Sequence, residues 1–145
     1  MIALIQRVSR ASVTVEDQCI AAIGPGVLAL VAAEPDDTEA RARRLAERVL
    51  AYRIFADASN RMNLGAITAN KAVLAVPQFT LAADTRRGNR PGFSTACDPE
   101  RAAPLFDLLV ATLAERHALV EAGRFGADMQ VALVNDGPVT FWLNA

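Results

Sequence analysis

VALVNDGPVTFWLNA, residues 131–145, carries the reading on which the fold turns. Asp128 to Val134 and Val139 to Leu143 are each rich in β-branched or aromatic residues and predict two strands. Between them, Asn135-Asp136-Gly137-Pro138 has the composition of a turn. Proline has no N–H to donate to a ladder, and glycine has no Cβ to keep another group away from the backbone. The quartet is therefore either a plain turn or a shape held for a purpose.

Working outward, Ile2 to Val8 predicts an opening strand, and Ala11 to Glu16 a second that alternates Val13 and Val15 with Ser12 and Thr14. Gly24-Pro25-Gly26 predicts a turn. Val27 to Ala33 is an unbroken apolar run, as in a strand buried on both faces. Asp36 followed by Glu39 resembles a capping box, and Ala42, Leu45, Ala46, Val49 and Leu50 then form one helical stripe. Ala72 to Leu81 predicts a strand. Pro99 to Ala118 predicts a second helix, with Leu105, Leu108, Leu109, Thr112 and Leu113 facing inward and a start at either Pro99 or Pro104. Six or seven strands and two helices give an α+β (α/β) domain over residues 1–145, a curled, mostly antiparallel or mixed, barrel-like sheet under the helices.

Hydrophobic residues make up 52% and charged residues 21%, a globular rather than a disordered composition. No apolar run is long enough for a membrane span, and the opening residues read as a strand rather than a signal peptide, so the expected setting is cytoplasmic. Cys19 and Cys97 are far apart and are expected to be buried thiols rather than a disulfide. Fifteen basic residues against 16 acidic ones leave a net charge of −1 and no global signal for nucleic acid.

Familiar catalytic sets are missing. His117 is the one histidine, at the end of the second predicted helix, where it suits the helix dipole. There is no G-x-S-x-G elbow, no Walker A or dinucleotide fingerprint, and no set of residues spaced to hold zinc. An enzyme built from this sequence would rely on backbone dipoles, shape and the groups of its own substrate.

Two segments hold what remains: PQFTLAADTRRGNRPGF, residues 77–93, and ADMQVALVNDGPVTFW, residues 127–142. Both closely resemble the signature segments of the D-aminoacyl-tRNA deacylase family, and MIALIQRVSRASVTVE, LAERVLAYRIF and GRFGADMQV resemble it as well. The resemblance implies a homodimer that hydrolyses the ester of D-aminoacyl-tRNA, and of glycine misattached to tRNA(Ala), with no metal or other cofactor and no membrane partner. It implies a cis Gly137-Pro138 bond at a tip that enters the partner subunit's active site. That pocket would be built around Gln78, Phe79 and Thr80.

Such a corner makes physical sense. Its carbonyls can accept a hydrogen bond from a substrate ammonium while the backbone crowds an L side chain, so selection works by collision. Glycine, with nothing to collide, escapes the filter. The ester chemistry has two routes. Thr80 can act as nucleophile but has no evident base nearby. Alternatively, the 2′-hydroxyl of the terminal adenosine assists while the protein positions it and stabilises the oxyanion, the route favoured here. Phe79 would offer a backbone N–H or pack in the pocket, and Gln78 would orient a substrate group. Pro77 stands where the family usually has serine, which removes a hydroxyl and an N–H. Met129 is a candidate for the adenosine side of the pocket, or plain core. Arg7, Arg86, Arg87 and Arg90 are candidates for tRNA phosphates, or solvated charges. The competing reading is a non-catalytic dimeric module that binds a nucleotide or aminoacyl-adenosine.

Overall fold

The computed structural model describes residues 1–145 as a curled mixed sheet with two helices against one face. Strand β1 (Ile2–Val15) runs antiparallel to β2 (Gln18–Ile23) and β3 (Gly26–Ala32). Helix α1 (Glu39–Ala51) follows, then the short pair β4 (Phe55–Ala56) and β5 (Met62–Leu64). Strand β6 (Ala72–Pro77) joins β3 in parallel, helix α2 (Pro99–Arg116) packs beside α1, and β7 (Val120–Ala122) adds to β6 in parallel. The last strand, β8 (Gln130–Asn144), returns along β1, so the main sheet runs β2-β1-β3-β6-β7 with β8 also on β1. The expected α+β class and barrel-like mixed sheet hold.

The two closing strands are one. Strand β8 pairs with β1 from Gln130 to Asn135 and again from Thr140 to Asn144. Between Val8↔Asn135 and Gln6↔Thr140, Arg7 alone on β1 faces the four residues 136–139 on β8. The excess is absorbed as a bulge, so NDGP is a corner on a continuous strand rather than a hairpin turn. The two predicted opening strands likewise merge into the 14 residues of β1. Periodicity reports which face a residue takes; whether a strand stops or bends is decided by its neighbour.

The helical stripe is as expected: Ala42, Leu45, Ala46, Val49 and Leu50 are all buried. They share a core with Ile5, Val27, Ala29, Val73 and Ala75 from the helix-facing side of the sheet and with Leu105, Phe106, Leu109 and Leu113 of α2. Leu108 is only half-buried, and Phe106 takes an inward place that the sequence reading did not assign. Helix α2 begins with Pro99 in its first turn and carries Pro104 inside it, on an exposed face where water can serve the freed carbonyl.

The capping expectation needs correction. The N-cap of α1 is Thr38, whose hydroxyl accepts from the Arg41 N–H at 3.4 Å. Asp36 is exposed, whereas Asp37 is buried. The Asp37 carboxylate accepts from the Met1 ammonium at 2.5 Å, the Glu34 N–H at 2.7 Å and the Arg41 guanidinium at 3.3 Å. The Met1 ammonium also donates to the Ala145 carbonyl at 3.0 Å, which draws the two ends of the sheet together. Local spacing cannot announce a partner 36 residues away. Of the cysteines, Cys97 is buried, and burial pushes its thiol pKa up; Cys19 is exposed, contrary to expectation, and both are free. No helix is long and apolar enough to cross a membrane.

Asp37→Ala takes the buried carboxylate from the Met1 ammonium, leaving it the Ala145 carbonyl and the more distant Glu34, and takes the acceptor from the Glu34 N–H, a loss of about 3 kcal/mol that lowers Tm by roughly 10 °C. Asp36→Ala changes stability by less than about 0.5 kcal/mol, as surface substitutions do. Thermal denaturation of the two variants separates the observed anchor from the capping box expected of the sequence.

Candidate active site

Two structures in the fold carry the residues singled out in the sequence. The first lies at the end of β6. The strand predicted to reach Leu81 stops at Pro77, and Phe79–Ala82 form a 3-10 turn instead. Gln78 still donates its N–H to the Val31 carbonyl at 2.7 Å, so the turn is pinned to β3 at its first residue. The N–H groups of Phe79 and Thr80 open this turn, where helical geometry offers them no acceptor of its own.

Pro77 is accommodated by register. Along β6, Val73 and Ala75 bond towards β7, while Gln78 bonds towards β3. Alternation therefore aims the Pro77 nitrogen at Gly123, one residue past the last paired residue of β7, Ala122. The ring forgoes one bond at the end of the β6-β7 ladder, and the pairing with β3 is untouched.

The Gln78 side-chain amide donates to the Thr80 Oγ1 at 2.5 Å. An amide is not a base in either orientation, so this contact does not activate the hydroxyl. The one histidine lies at the opposite end of β6 from Thr80: His117 caps α2, is buried, and has its Nε2 2.8 Å from the Lys71 carbonyl. Phe79 is 56% exposed, an unusual setting for a large aromatic, and is steadied by Phe93 at a centroid distance of 5.2 Å. Beneath the turn lies a small, mostly apolar cavity lined by Met1, Val31, Cys97, Phe106 and Phe125.

Met129 belongs to the same neighbourhood. A Cβ built on Gly123 would meet the Met129 sulfur at 3.0 Å and the Pro77 Cδ at 3.4 Å. Gly123 thus lets the segment before β8 close against the end of β6. The sequence reading missed Gly123 and gave Phe93 no role. Phe93 lies within one of the two signature segments; Gly123 has no local signal.

The second structure is the corner. The Gly137-Pro138 bond is cis, as the resemblance implied. Gly137 has φ +141°, and a Cβ there would meet Val139 Cγ2 at 2.6 Å and Arg7 Nη2 at 3.1 Å, so only glycine fits. Arg7 supports the corner from β1: its Nε donates to the Asp136 carbonyl at 2.9 Å and its Nη1 to the Ile54 carbonyl at 2.8 Å. Asn135 spans the bulge, accepting from the Val139 N–H at 2.8 Å and donating to the Thr140 hydroxyl at 2.8 Å. Gly137 and Pro138 themselves are exposed. The corner is held from inside the strand and presented outward.

The chain does not bring corner and turn together. Pro77 aligns through Val31 with Ala3, four residues along β1 from Arg7, and three strand spacings separate β8 from β6. At ~3.3 Å per residue and ~4.8 Å per strand the two lie on the order of 20 Å apart.

The arginines of the 84–92 loop divide. Asp84 and Gly92 exchange backbone hydrogen bonds at 2.8 and 3.0 Å. Inside that frame the Arg86 guanidinium forks onto Asp84 with both contacts at 2.8 Å. The pair holds the Asp84 carboxyl well below the usual carboxylate range and raises Arg86. With its folded pKa depressed, Asp84 keeps this pairing at neutral pH and loses it only in strong acid. Arg87 and Arg90 are exposed and bonded to no carboxylate.

Comparisons with known proteins give the site a context. A family model described as D-Tyr-tRNA(Tyr) deacylase matches residues 4–144. D-aminoacyl-tRNA deacylase of Enterobacter sp. (strain 638) is 60% identical over 143 residues, 99% of each chain. That of Xanthomonas euvesicatoria pv. vesicatoria (strain 85-10) is 60% identical over 144 residues, again 99% of each. Among solved structures, the c-Myc DNA Unwinding Element Binding Protein superposes with a TM-score of 0.95 at 36% identity, covering 100% of this chain and 99% of the other. A probable eukaryotic D-amino acid tRNA deacylase shares the fold at a TM-score of 0.87 and 17% identity, with 99% and 98% covered.

Gly137→Ala sets a Cβ against Val139 and Arg7 at a positive φ and destabilises the protein by about 1–3 kcal/mol, with amide shifts across residues 135–140. Gly126, at φ +75° with open space where a methyl group would stand, tolerates alanine at about 1 kcal/mol. Denaturant unfolding and amide spectra of the two variants check that crowding, not φ alone, demands Gly137.

Proposed function

The chain belongs to the D-Tyr-tRNA(Tyr) deacylase family and is a hydrolase acting on D-aminoacyl-tRNA, and from that premise we propose how it selects and cleaves its substrate. The corner at Gly137-Pro138 enters the pocket around Gln78, Phe79 and Thr80 of a second copy of the chain. There its carbonyls take the substrate α-ammonium and leave no room for an L side chain. A D side chain points away from the obstruction, and glycyl-tRNA(Ala) passes because it has no side chain. The protein works in translation quality control, binds tRNA, and is assigned to the cytoplasm with no metal, other cofactor or membrane partner.

One observation carries this reading: corner and turn lie on the order of 20 Å apart within a chain, yet the corner is rigidly held and exposed. A surface feature tied down from within suits insertion into another molecule. The face of the sheet away from the helices supports a homodimer. Trp142, Leu4 and Leu30 stand in one cross-strand row there, with Trp142 52% exposed. An apolar row of this kind on an antiparallel sheet is suited to burial against a partner.

For the chemistry we favour assistance by the 2′-hydroxyl of the terminal adenosine. Thr80 has an amide rather than a base at its hydroxyl. Phe79 and Thr80 present N–H groups at the opening of the turn, where an oxyanion can be met. Gln78 and Thr80 orient the ester, and Met129 and Pro77 flank the adenosine. Arg87 and Arg90 face the phosphates of the 3′ end. Arg86 shapes their loop through Asp84, and Arg7 positions the corner, each with two guanidinium nitrogens bonded to the protein itself.

D-tyrosyl-tRNA is expected to lose its ester at least about a hundredfold faster than L-tyrosyl-tRNA in the presence of the protein; equal loss or protection of both esters supports a binding module instead. Thr80→Ala retains activity within about tenfold, whereas a substrate ending in 2′-deoxyadenosine loses at least about a hundredfold, the range general acid–base assistance supplies. Single-turnover rates decide between the two routes. Pro77→Ser changes turnover by less than about tenfold if the hydroxyl is incidental, and the same assay reads it.

A further inference from the structure

Two adjoining grooves lie apart from the turn at the end of β6. One of about 550 Å³ lies along the exposed side of α1 and is lined by Arg44, Glu47, Arg48, Tyr52, Arg53 and Phe141. Tyr52 and Phe141 meet there at a centroid distance of 5.3 Å, tilted by 58°, and Phe141 is 36% exposed. Three arginines surround this aromatic floor against one glutamate. A second groove, of about 560 Å³, shares Glu47, Ala51 and Arg53 with the first and extends it to Asn63, Thr68 and Arg116.

The charges are spoken for only in part. Glu47 pairs with Arg44 at 3.3 Å and with Arg116 at 2.9 Å, and Arg48 bonds to the Asn144 carbonyl. Arg53 donates to the neutral Asn63 amide oxygen at 3.2 Å, and the Arg44 side chain is 66% exposed. Arginines beside an exposed Phe141 backed by a half-buried Tyr52 make a site with two functions at once: a planar base can stack on the accessible ring while guanidinium groups take the adjoining phosphates.

Its position adds a direction. Phe141 is three residues beyond Pro138 on β8, about 10 Å along the strand. Arg53 immediately precedes Ile54, whose carbonyl receives Arg7 beneath the corner. The groove is therefore attached to the corner twice, through β8 and through the segment after α1.

We infer that this α1 groove binds RNA: the acceptor end of the same tRNA whose 3′ ester lies in the partner's pocket against this chain's corner. The inference rests on the deacylase reading above and extends it. One copy supplies the pocket, and the copy that inserts the corner also takes the neighbouring phosphates on Arg44 and Arg53 and a base over Tyr52 and Phe141. The pocket handles the ester, while the groove recognises that the ester is attached to a structured RNA.

The experiment compares the wild-type protein with Arg44→Gln/Arg53→Gln on D-tyrosyl-tRNA and on adenosine bearing a D-tyrosyl ester, and measures binding of uncharged tRNA alongside. Both substituted side chains are solvent-facing, and an unchanged Tm checks that the fold is kept. The double variant is expected to lose about tenfold or more in kcat/KM on the tRNA substrate, chiefly through KM. Its log–log salt dependence should become shallower by about one per arginine lost. Hydrolysis of the adenosine ester should stay within about twofold. Equal losses on both substrates, or unchanged tRNA hydrolysis and binding, overturn the groove. A protein that cleaves neither ester but loses tRNA binding in the double variant supports the groove and removes the deacylase reading instead. Glu47→Gln, which removes the one anion of the first groove, should tighten tRNA binding about two- to threefold; weaker binding counts against the assignment.

Discussion

The antiparallel ladder between β1 and β8 is the constraint from which the rest follows. It joins the start of the chain to its end over almost the full length of both strands, and it resumes after its one large interruption. A break at the end of a ladder can relax into a loop. A break with paired strand on either side cannot. The three surplus residues opposite Arg7 have nowhere to go but outward, and Asn135, Arg7 and the glycine at 137 determine the form they take. The exposed corner is a register mismatch made permanent by its flanks.

That origin explains what was legible in the sequence. The buried stripe of α1 and the apolar run of β3 were readable because burial imposes a period on each. The merging of strands was not, since a bulge leaves alternation intact on either side of it. Asp36 had capping-box spacing, but the buried carboxylate is its neighbour Asp37, which the Met1 ammonium, a partner from the other end of the fold's first strand, holds in place. Leu81 looked like strand because it is apolar; the strand ends at Pro77 because β3 ends opposite it. For the site, two signature segments pointed to Gln78, Phe79, Thr80, Gly137 and Pro138. The companions Phe93, Gly123 and Asn135 depend on how distant segments close on one another, which no local spacing records.

Electrostatics tells a similar story at lower resolution. A net charge of −1 conceals which cations are engaged. Arg7 and Arg86 look interchangeable with Arg87 and Arg90 in the sequence, yet the first two spend their donors on the protein itself. Such arginines are structural members, and neutralising one changes shape before it changes charge. Exposed arginines remain in the 84–92 loop, at Arg87 and Arg90, and on and just after α1, at Arg44 and Arg53.

The amide missing at Pro77 has a different kind of consequence. Its nitrogen is aimed at Gly123, just past the tip of β7, so a ring there forgoes one bond at the end of a short ladder and leaves the pairing of β6 with β3 intact. The neighbour at 78 has no such freedom, because its N–H is claimed by Val31. Within two adjacent residues the backbone separates a position that accommodates proline from one closed to it. A change of side chain at 77 therefore alters the surface beside the turn while the sheet underneath keeps its pairing.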